Sequence, residues 1–224
     1  MLAKRVVIVL SLLVPTLSTA ALAQKADAAL VVGASFVSDS KATFGIPCSI
    51  LPPIPCPAAP MFISTVQTDH QVFLEGAVGL QFLNARVASL YLELPVAGIP
   101  SQTLHLSTTP SAVFTHMSSF YVTPGFRLQL VPGGPISPFV SLGGGLAHYS
   151  LGSGATNKGA LEYGGGVDFR TGIPHLGLRG EVRDFVTGDP NFSLAGGIGL
   201  TGSSNESGLH RHNILAGGGV VFKF

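Results

Sequence analysis

Apolar side chains recur at every second position over most of the chain, the period of a strand whose two faces meet different surroundings. From Val72 the even positions read Val, Leu, Gly, Val, Leu, Phe to Phe82, against Phe73, Glu75, Ala77, Gly79 and Gln81. The pattern returns with Leu90, Leu92 and Leu94 against Ser89, Tyr91 and Glu93. It continues with Val122, Pro124, Phe126, Leu128 and Leu130 against Tyr121, Thr123, Gly125, Arg127 and Gln129. Tyr163, Gly165, Val167 and Phe169 oppose Glu162, Gly164, Asp168 and Arg170, and Leu176, Leu178 and Val182 oppose Arg179, Glu181 and Arg183. Ile214, Ala216, Val220, Phe222 and Phe224 close the series against Asn213, Gly217, Val221 and Lys223. Leu30–Phe36 and Pro138–Ser150 alternate less cleanly and complete a predicted set of eight strands. Each is near the ~9–11 residues that cross a bilayer when tilted. Residues 39–69, 97–117, 151–158 and 188–211 are expected as long loops, whereas 83–86, 131–137 and 171–175 are short turns. Long loops at one end and tight turns at the other fit a membrane barrel.

Alternation alone also fits a secreted sandwich, in which the apolar face is the core. The charges favour a barrel. One face collects Glu75, Glu93, Glu162, Asp168 and Glu181 together with Arg127, Arg170, Arg179, Arg183 and Lys223. A solvated face does not need that balance, but a narrow lumen does, because an unpaired buried charge is expensive. Arginine dominates the cations, as multidentate buried pairing requires. A barrel of eight strands is just wide enough for side chains to fill it, so a plugged interior is expected. Phe82, Phe169, Phe222 and Phe224 fall at one set of strand ends, with Tyr163 and Phe120 nearer the other, as interfacial aromatic girdles do.

Composition locates this barrel. Of 224 residues 46% are hydrophobic and 10% charged, against about 25% charged in average soluble domains. The net charge of +1 offers no basic surface for nucleic acid. Lys4 and Arg5 precede the apolar run Val6–Val14, and Ala21-Leu22-Ala23 follows. Basic region, short apolar core and A-x-A site are the parts of a signal peptide. Residues 1–23 are therefore read as a cleaved signal and 24–224 as the barrel domain. An exported, highly apolar chain with no later helical span points to strands crossing a membrane.

The last strand, Asn213–Phe224 (NILAGGGVVFKF), and the hairpin Pro138–Arg170, with its P-F-V-S-x-G-G-G-L-A-x-Y and Y-G-G-G-V-D-F runs, resemble the small bacterial outer-membrane barrels of the OmpA, OmpX and OmpW kind. The resemblance implies an all-β, eight-stranded, antiparallel up-and-down barrel in the outer membrane. It implies that a terminal strand ending in Phe222 and Phe224 is read by the barrel-assembly machinery. It implies surrounding outer-membrane lipid and lipopolysaccharide. Family members act as adhesins, structural proteins, small pores or enzymes, so the resemblance sets fold and location more than activity.

Four groups of residues could carry chemistry. His148 and Ser150 with Glu162 resemble the His-x-Ser pair and distant Glu of the lipid A deacylases, but the alternation puts His148 and Ser150 outward and Glu162 in the lumen. His210 and His212 have no evident third metal ligand. Gly152, Ser153, Gly154, Lys158 and Gly159 lack the spacing of a phosphate loop, and the glycine triplets at 143–145, 164–166 and 217–219 are read as lumen space and strand curvature. Cys48 and Cys56 are the only cysteines, and in an oxidising compartment they are expected to form a disulfide across a small loop. No catalytic, metal or cofactor site is assigned. The expectation is a monomeric, non-enzymatic barrel with a structural or surface-binding role, with a narrow pore or a lipid A-modifying hydrolase as alternatives.

Overall fold

The computed structural model describes residues 25–37, 40–45, 62–68, 71–107, 112–151, 154–188, 192–194, 198–202 and 211–224, with side chains placed at 25–37, 71–102, 116–150, 154–188 and 211–224. Residues 1–23, expected as a signal, and Cys48 and Cys56 lie outside these residues. The strands are β1 (Ala26–Val37), β2 (Ser40–Gly45), β3 (Phe62–Thr68), β4 (Gln71–Asn84), β5 (Ala88–Ser107), β6 (Ala112–Val122), β7 (Gly125–Leu130), β8 (Ile136–Leu151), β9 (Gly154–Arg170), β10 (Leu176–Thr187), β11 (Phe192–Leu194), β12 (Ile198–Gly202) and β13 (Arg211–Lys223).

Every pairing is antiparallel, and the sheet closes on itself where β1 pairs with β13 from Asp27↔Lys223 to Val37↔Asn213. The circuit runs β1, β4, β5, β6 with β7, β8, β9, β10, β13 and back to β1, giving eight staves. β6 and β7 form one stave, each pairing with both β5 and β8. They are separated at Thr123–Pro124, where proline cannot donate to the ladder. The gap is stitched by Thr123 N–H to Pro95 O at 3.4 Å and Gly144 N–H to Pro124 O at 3.1 Å. Among the described residues, closure leaves no free sheet edge along the eight staves.

Turns at 85–87, 131–135 and 171–175 join the staves at one end, which also holds both ends of the described chain. Val131 (φ 46°), Gly133 (φ 87°) and His175 (φ 64°) take left-handed backbone to close two of these turns. The opposite end differs from the sequence expectation. Much of 97–117 and 151–158 is strand rather than loop: β5 runs 20 residues and pairs with β6 as far as Ser107↔Ala112, and β8–β9 pair as far as Leu151↔Gly154. β2, β3, β11 and β12 add further pairs there. Alternating hydrophobicity marks only the part of a strand that separates lipid from lumen, so extensions beyond that band carry no such signal.

The outer wall is apolar. Leu74, Val78, Leu92, Phe126, Val140, Leu142, Leu178 and Val182 all stand exposed on it. Phe82 packs edge-on against Phe126 at 6.1 Å near the turn end, where Phe169, Phe222 and Phe224 are also exposed, and Tyr163 and Phe120 are exposed farther up the wall.

Candidate functional site

Among the described residues the barrel's interior is its lumen, and two layers fill it. The layer nearer the turns is charged. Arg183 on β10 is its hub, with Nε 3.0 Å from Glu75 Oε1, Nη2 3.2 Å from Glu93 Oε1 and from Glu181 Oε2, and Nη1 3.2 Å from Glu162 Oε1. Ser141 Oγ also donates to Glu162 Oε1 at 2.8 Å. Arg179 grips Asp168 with two parallel bonds, Nε to Oδ1 at 2.8 Å and Nη2 to Oδ2 at 3.1 Å, the fork geometry that only arginine offers. Lys223 Nζ at 2.9 Å and Gln129 Nε2 at 3.0 Å complete the shell of Asp168. Arg127 donates to Asp27 and lies 3.4 Å from Glu93. Aromatic faces flank the guanidiniums, with Tyr91 at 4.4 Å from Arg127 and Phe139 at 4.7 Å from Arg179. Arg127 and Arg183 are among the largest fully buried side chains of the protein.

Glycines make room for these long side chains. A Cβ on Gly79 would lie 2.5 Å from Asp27 Oδ1 and 2.8 Å from Arg127 Nη2, and one on Gly164 would lie 2.8 Å from Arg183 Cγ. A Cβ on Gly217 would lie 2.8 Å from Phe73 Cζ. Gly164 and Gly217 thus serve as lumen volume, whereas a Cβ on Gly145 or Gly219 would meet neighbouring backbone oxygens at 2.0 and 1.9 Å; the runs lie in strands and none opens a helix.

The second layer, toward the long hairpins, is apolar. Val31, Phe73, Ile99, Met117, Tyr121, Tyr149, Phe185 and Leu215 form one buried cluster. Tyr121 stacks obliquely on Phe185 at 4.8 Å and meets Tyr149 edge-on at 6.1 Å. The Tyr149 hydroxyl shares a hydrogen bond of 2.7 Å with Thr187 Oγ1, and Arg211 stands 5.9 Å from the Tyr149 ring centroid. The sequence pattern leads one to expect a polar lumen throughout. A closed barrel's lumen is a protein interior, however, and accepts any side chains that fill it at normal density.

Of the charges expected in the lumen, Glu75, Glu93, Arg127, Glu162, Asp168, Arg179, Glu181 and Arg183 are buried there, and Lys223 reaches in from the rim. Arg170 is a correction. It has the right parity, but it is the last residue of β9 and stands exposed beyond the wall. There it lines a mouth of about 750 Å³ at the turn end, together with Lys25, Gln81, Tyr91 and Gln129. Asp27, partner of Arg127, belongs to the network and escaped the sequence reading because β1 looks apolar on both faces. His148 is exposed and bonds Asn157 at 2.6 Å, while Glu162 is buried on the other side of the wall. They form no triad. Phe222 and Phe224 are exposed on the wall.

One polar cluster on the outer wall was also missed. Asp184 Oδ2 accepts from the Tyr163 hydroxyl at 2.7 Å and meets His212 Nδ1 at 2.6 Å. All three residues have outward parity, and the carboxylate is almost covered, its side chain being 11% exposed. The signal was present: Arg183 and Asp184 are consecutive charges in a strand, so one of them has to face out.

A closed antiparallel barrel of eight staves, apolar outside and filled inside, is the architecture of a membrane-spanning β-barrel. The likeness to solved structures is to the small bacterial outer-membrane barrels. OprG from Pseudomonas aeruginosa, an outer membrane protein, matches with a TM-score of 0.57 at 11% identity, over 90% of this chain and 96% of that one. Weaker likenesses are Neisserial surface protein A, at 0.44 and 12% over 89% of this chain and 97% of that one, and the Escherichia coli outer membrane protease OmpT, at 0.47 and 6% over the same shares. At such identities the likeness is one of fold. No protein-family model matches the chain, and no curated protein matches it in sequence.

Proposed function

We propose that this chain is an integral outer-membrane barrel with a closed lumen, acting structurally or as a surface-binding platform. The observation that carries the reading is the double filling of the lumen, ion pairs below and aromatic side chains above. A filled lumen leaves the long hairpins as the surface on which binding can act. In this reading the turn end is periplasmic and the hairpins are extracellular. Residues 1–23 are removed on export, and Cys48 and Cys56 are bridged in the extracellular region. Phe222 and Phe224 are the groups presented to the assembly machinery. The barrel is a monomer surrounded by outer-membrane lipid and lipopolysaccharide.

Two measurements on the same preparation test this. The membrane-extracted protein should migrate differently on a gel before and after boiling, as a closed barrel does. Reconstituted in planar bilayers, the same protein should give no steady conductance steps. Regular steps would make it a pore instead, and recovery in the soluble fraction without a migration shift would remove it from the membrane.

A further inference from the structure

A ring of lumen-facing side chains borders the aromatic layer on its hairpin side. Arg211 of β13 pairs with Thr187 of β10. Thr187 Oγ1 shares its hydrogen bond with the Tyr149 hydroxyl of β8, and Tyr149 pairs with Ser119 of β6. Gln102 of β5 pairs with Met117, the next residue of β6 on the face of Ser119. Lys158 of β9 pairs with Ala147, which shares the face of Tyr149. The ring thus collects two cations, Arg211 and Lys158, and among the described residues no carboxylate.

Arg211 is 3% exposed, yet its Nε and Nη2 have no hydrogen-bond partner. Among the described residues it makes no ion pair. The nearest acids in the strand pairing are engaged elsewhere. Asp184 faces the outer wall with Tyr163 and His212, and Glu162 serves Arg183 in the layer below. A guanidinium does not release its proton in a protein, so it cannot escape the cost of burial by becoming neutral. A buried charge with no partner is strongly unfavourable, and a bound counter-ion removes that cost.

The two unpartnered atoms specify the counter-ion. Nε and Nη2 form one edge of the guanidinium. Arg179 lays the same edge on the carboxylate of Asp168, at 2.8 and 3.1 Å. That edge matches two oxygens of one carboxylate, phosphate or sulfate group, which a halide does not offer. Gln102 is fully buried with both its amide nitrogen and its amide oxygen unpartnered, so its Nε2 is a further donor in the ring.

We propose that Arg211 anchors an oxyanion site at the hairpin end of the lumen, which takes the carboxylate, phosphate or sulfate group of a water-soluble ligand. Lys158 supplies a second positive charge and Gln102 a donor. The ring faces the lumen, so a headgroup of the surrounding lipid is on the wrong side of the wall. The inference deepens the surface-binding reading by naming a ligand class, and it rests on the barrel described above.

Isothermal titration of the full chain tests it, with the barrel folded in oxyanion-free detergent and ionic strength held constant with chloride. The probes are inorganic phosphate and, separately, acetate. The wild type should bind phosphate at one site per chain. Arg211→Lys keeps the charge but loses the paired edge, and should weaken binding by about tenfold or more, the worth of one charge-assisted hydrogen bond. Arg211→Gln should abolish binding, and Arg170→Gln at the turn end should leave it unchanged. Acetate binding that Arg211→Gln removes would support the site as one for carboxylates. A wild type that shows the boiling-dependent gel shift but binds neither probe overturns the site and leaves the barrel standing. Binding that survives Arg211→Gln overturns it too. So does a wild type that binds phosphate only after Asp189→Asn or Glu206→Gln, because the chain's own carboxylate then serves Arg211. A second readout is the temperature at which the gel shift is lost. A ligand bound only by the folded barrel raises it. Phosphate also strengthens apolar burial in general, so the rise should be larger in the wild type than in Arg211→Gln, and equal rises overturn the proposal.

Discussion

Asp184 shows how one side chain on the lipid side of a barrel constrains its neighbours. A carboxylate on that wall is destabilising to a degree that depends on depth, and here Tyr163 and His212 cover it with hydrogen bonds of 2.7 and 2.6 Å. Hydrogen bonds to charged groups contribute about 1.5–3 kcal/mol. His212→Leu should therefore lower barrel stability by roughly that amount. Adding Asp184→Leu should restore most of it, because the stranded acceptor is removed along with its donor. Urea unfolding of the two variants followed by tryptophan-independent circular dichroism checks this, since the chain has no tryptophan. Failure of the double variant to recover would mean that the cluster does more than satisfy one carboxylate. Lumen glycines make the opposite case. Gly164→Val inserts a side chain where even a Cβ would lie 2.8 Å from Arg183 Cγ, and overpacking of this kind costs about 1–3 kcal/mol. Gly76→Val, on the outer wall at a position where an added Cβ meets nothing within 4 Å, should be tolerated in the same assay.

At the scale of the element, a strand here is two things joined end to end. Its lower part separates lipid from lumen and alternates; its upper part lies beyond that band and does not. This explains what could be read from sequence. The alternation from Val72, Phe120, Leu161 and Ile214 placed those segments on the correct faces, because a one-residue slip would have turned every Leu and Val into the lumen. The same rule assigns Arg127, Arg179 and Arg183 to one face from the sequence alone. The extensions of β5 and β6 were read as loop because residues 97–117 have no reason to alternate. The aromatic layer was missed because Phe73, Tyr121 and Tyr149 share the parity of the charges, and parity assigns a face without saying what fills it. If the β5–β6 extension is separate from the barrel's stability, replacing residues 104–115 by an Asn-Gly turn between the partners Thr103 and His116 should leave the boiling-dependent gel shift intact. Loss of the shift would show that the extension is needed to hold the staves together.

For the whole molecule the two layers act in series. In a closed lumen ions would have to pass both the Arg127, Arg179 and Arg183 clusters and the Phe73, Tyr121 and Phe185 cluster, and on the function proposed above either obstruction alone is expected to stop conduction. The layers also respond differently to truncation. Removing Arg183 frees four glutamates from their shared cation, so the charged layer becomes repulsive and hydrated. Truncating Tyr121 and Phe185, whose rings lie 4.8 Å apart, opens space in a region lined by apolar side chains. Arg183→Ala alone and Tyr121→Ala with Phe185→Ala alone should therefore remain silent in planar bilayers, while the triple variant should conduct, with a preference for cations set by the exposed glutamates. Conductance already present in Arg183→Ala would mean that the aromatic layer is not a barrier. A silent triple variant that still shows the gel shift of a folded barrel would place the obstruction beyond both layers, toward the long hairpins.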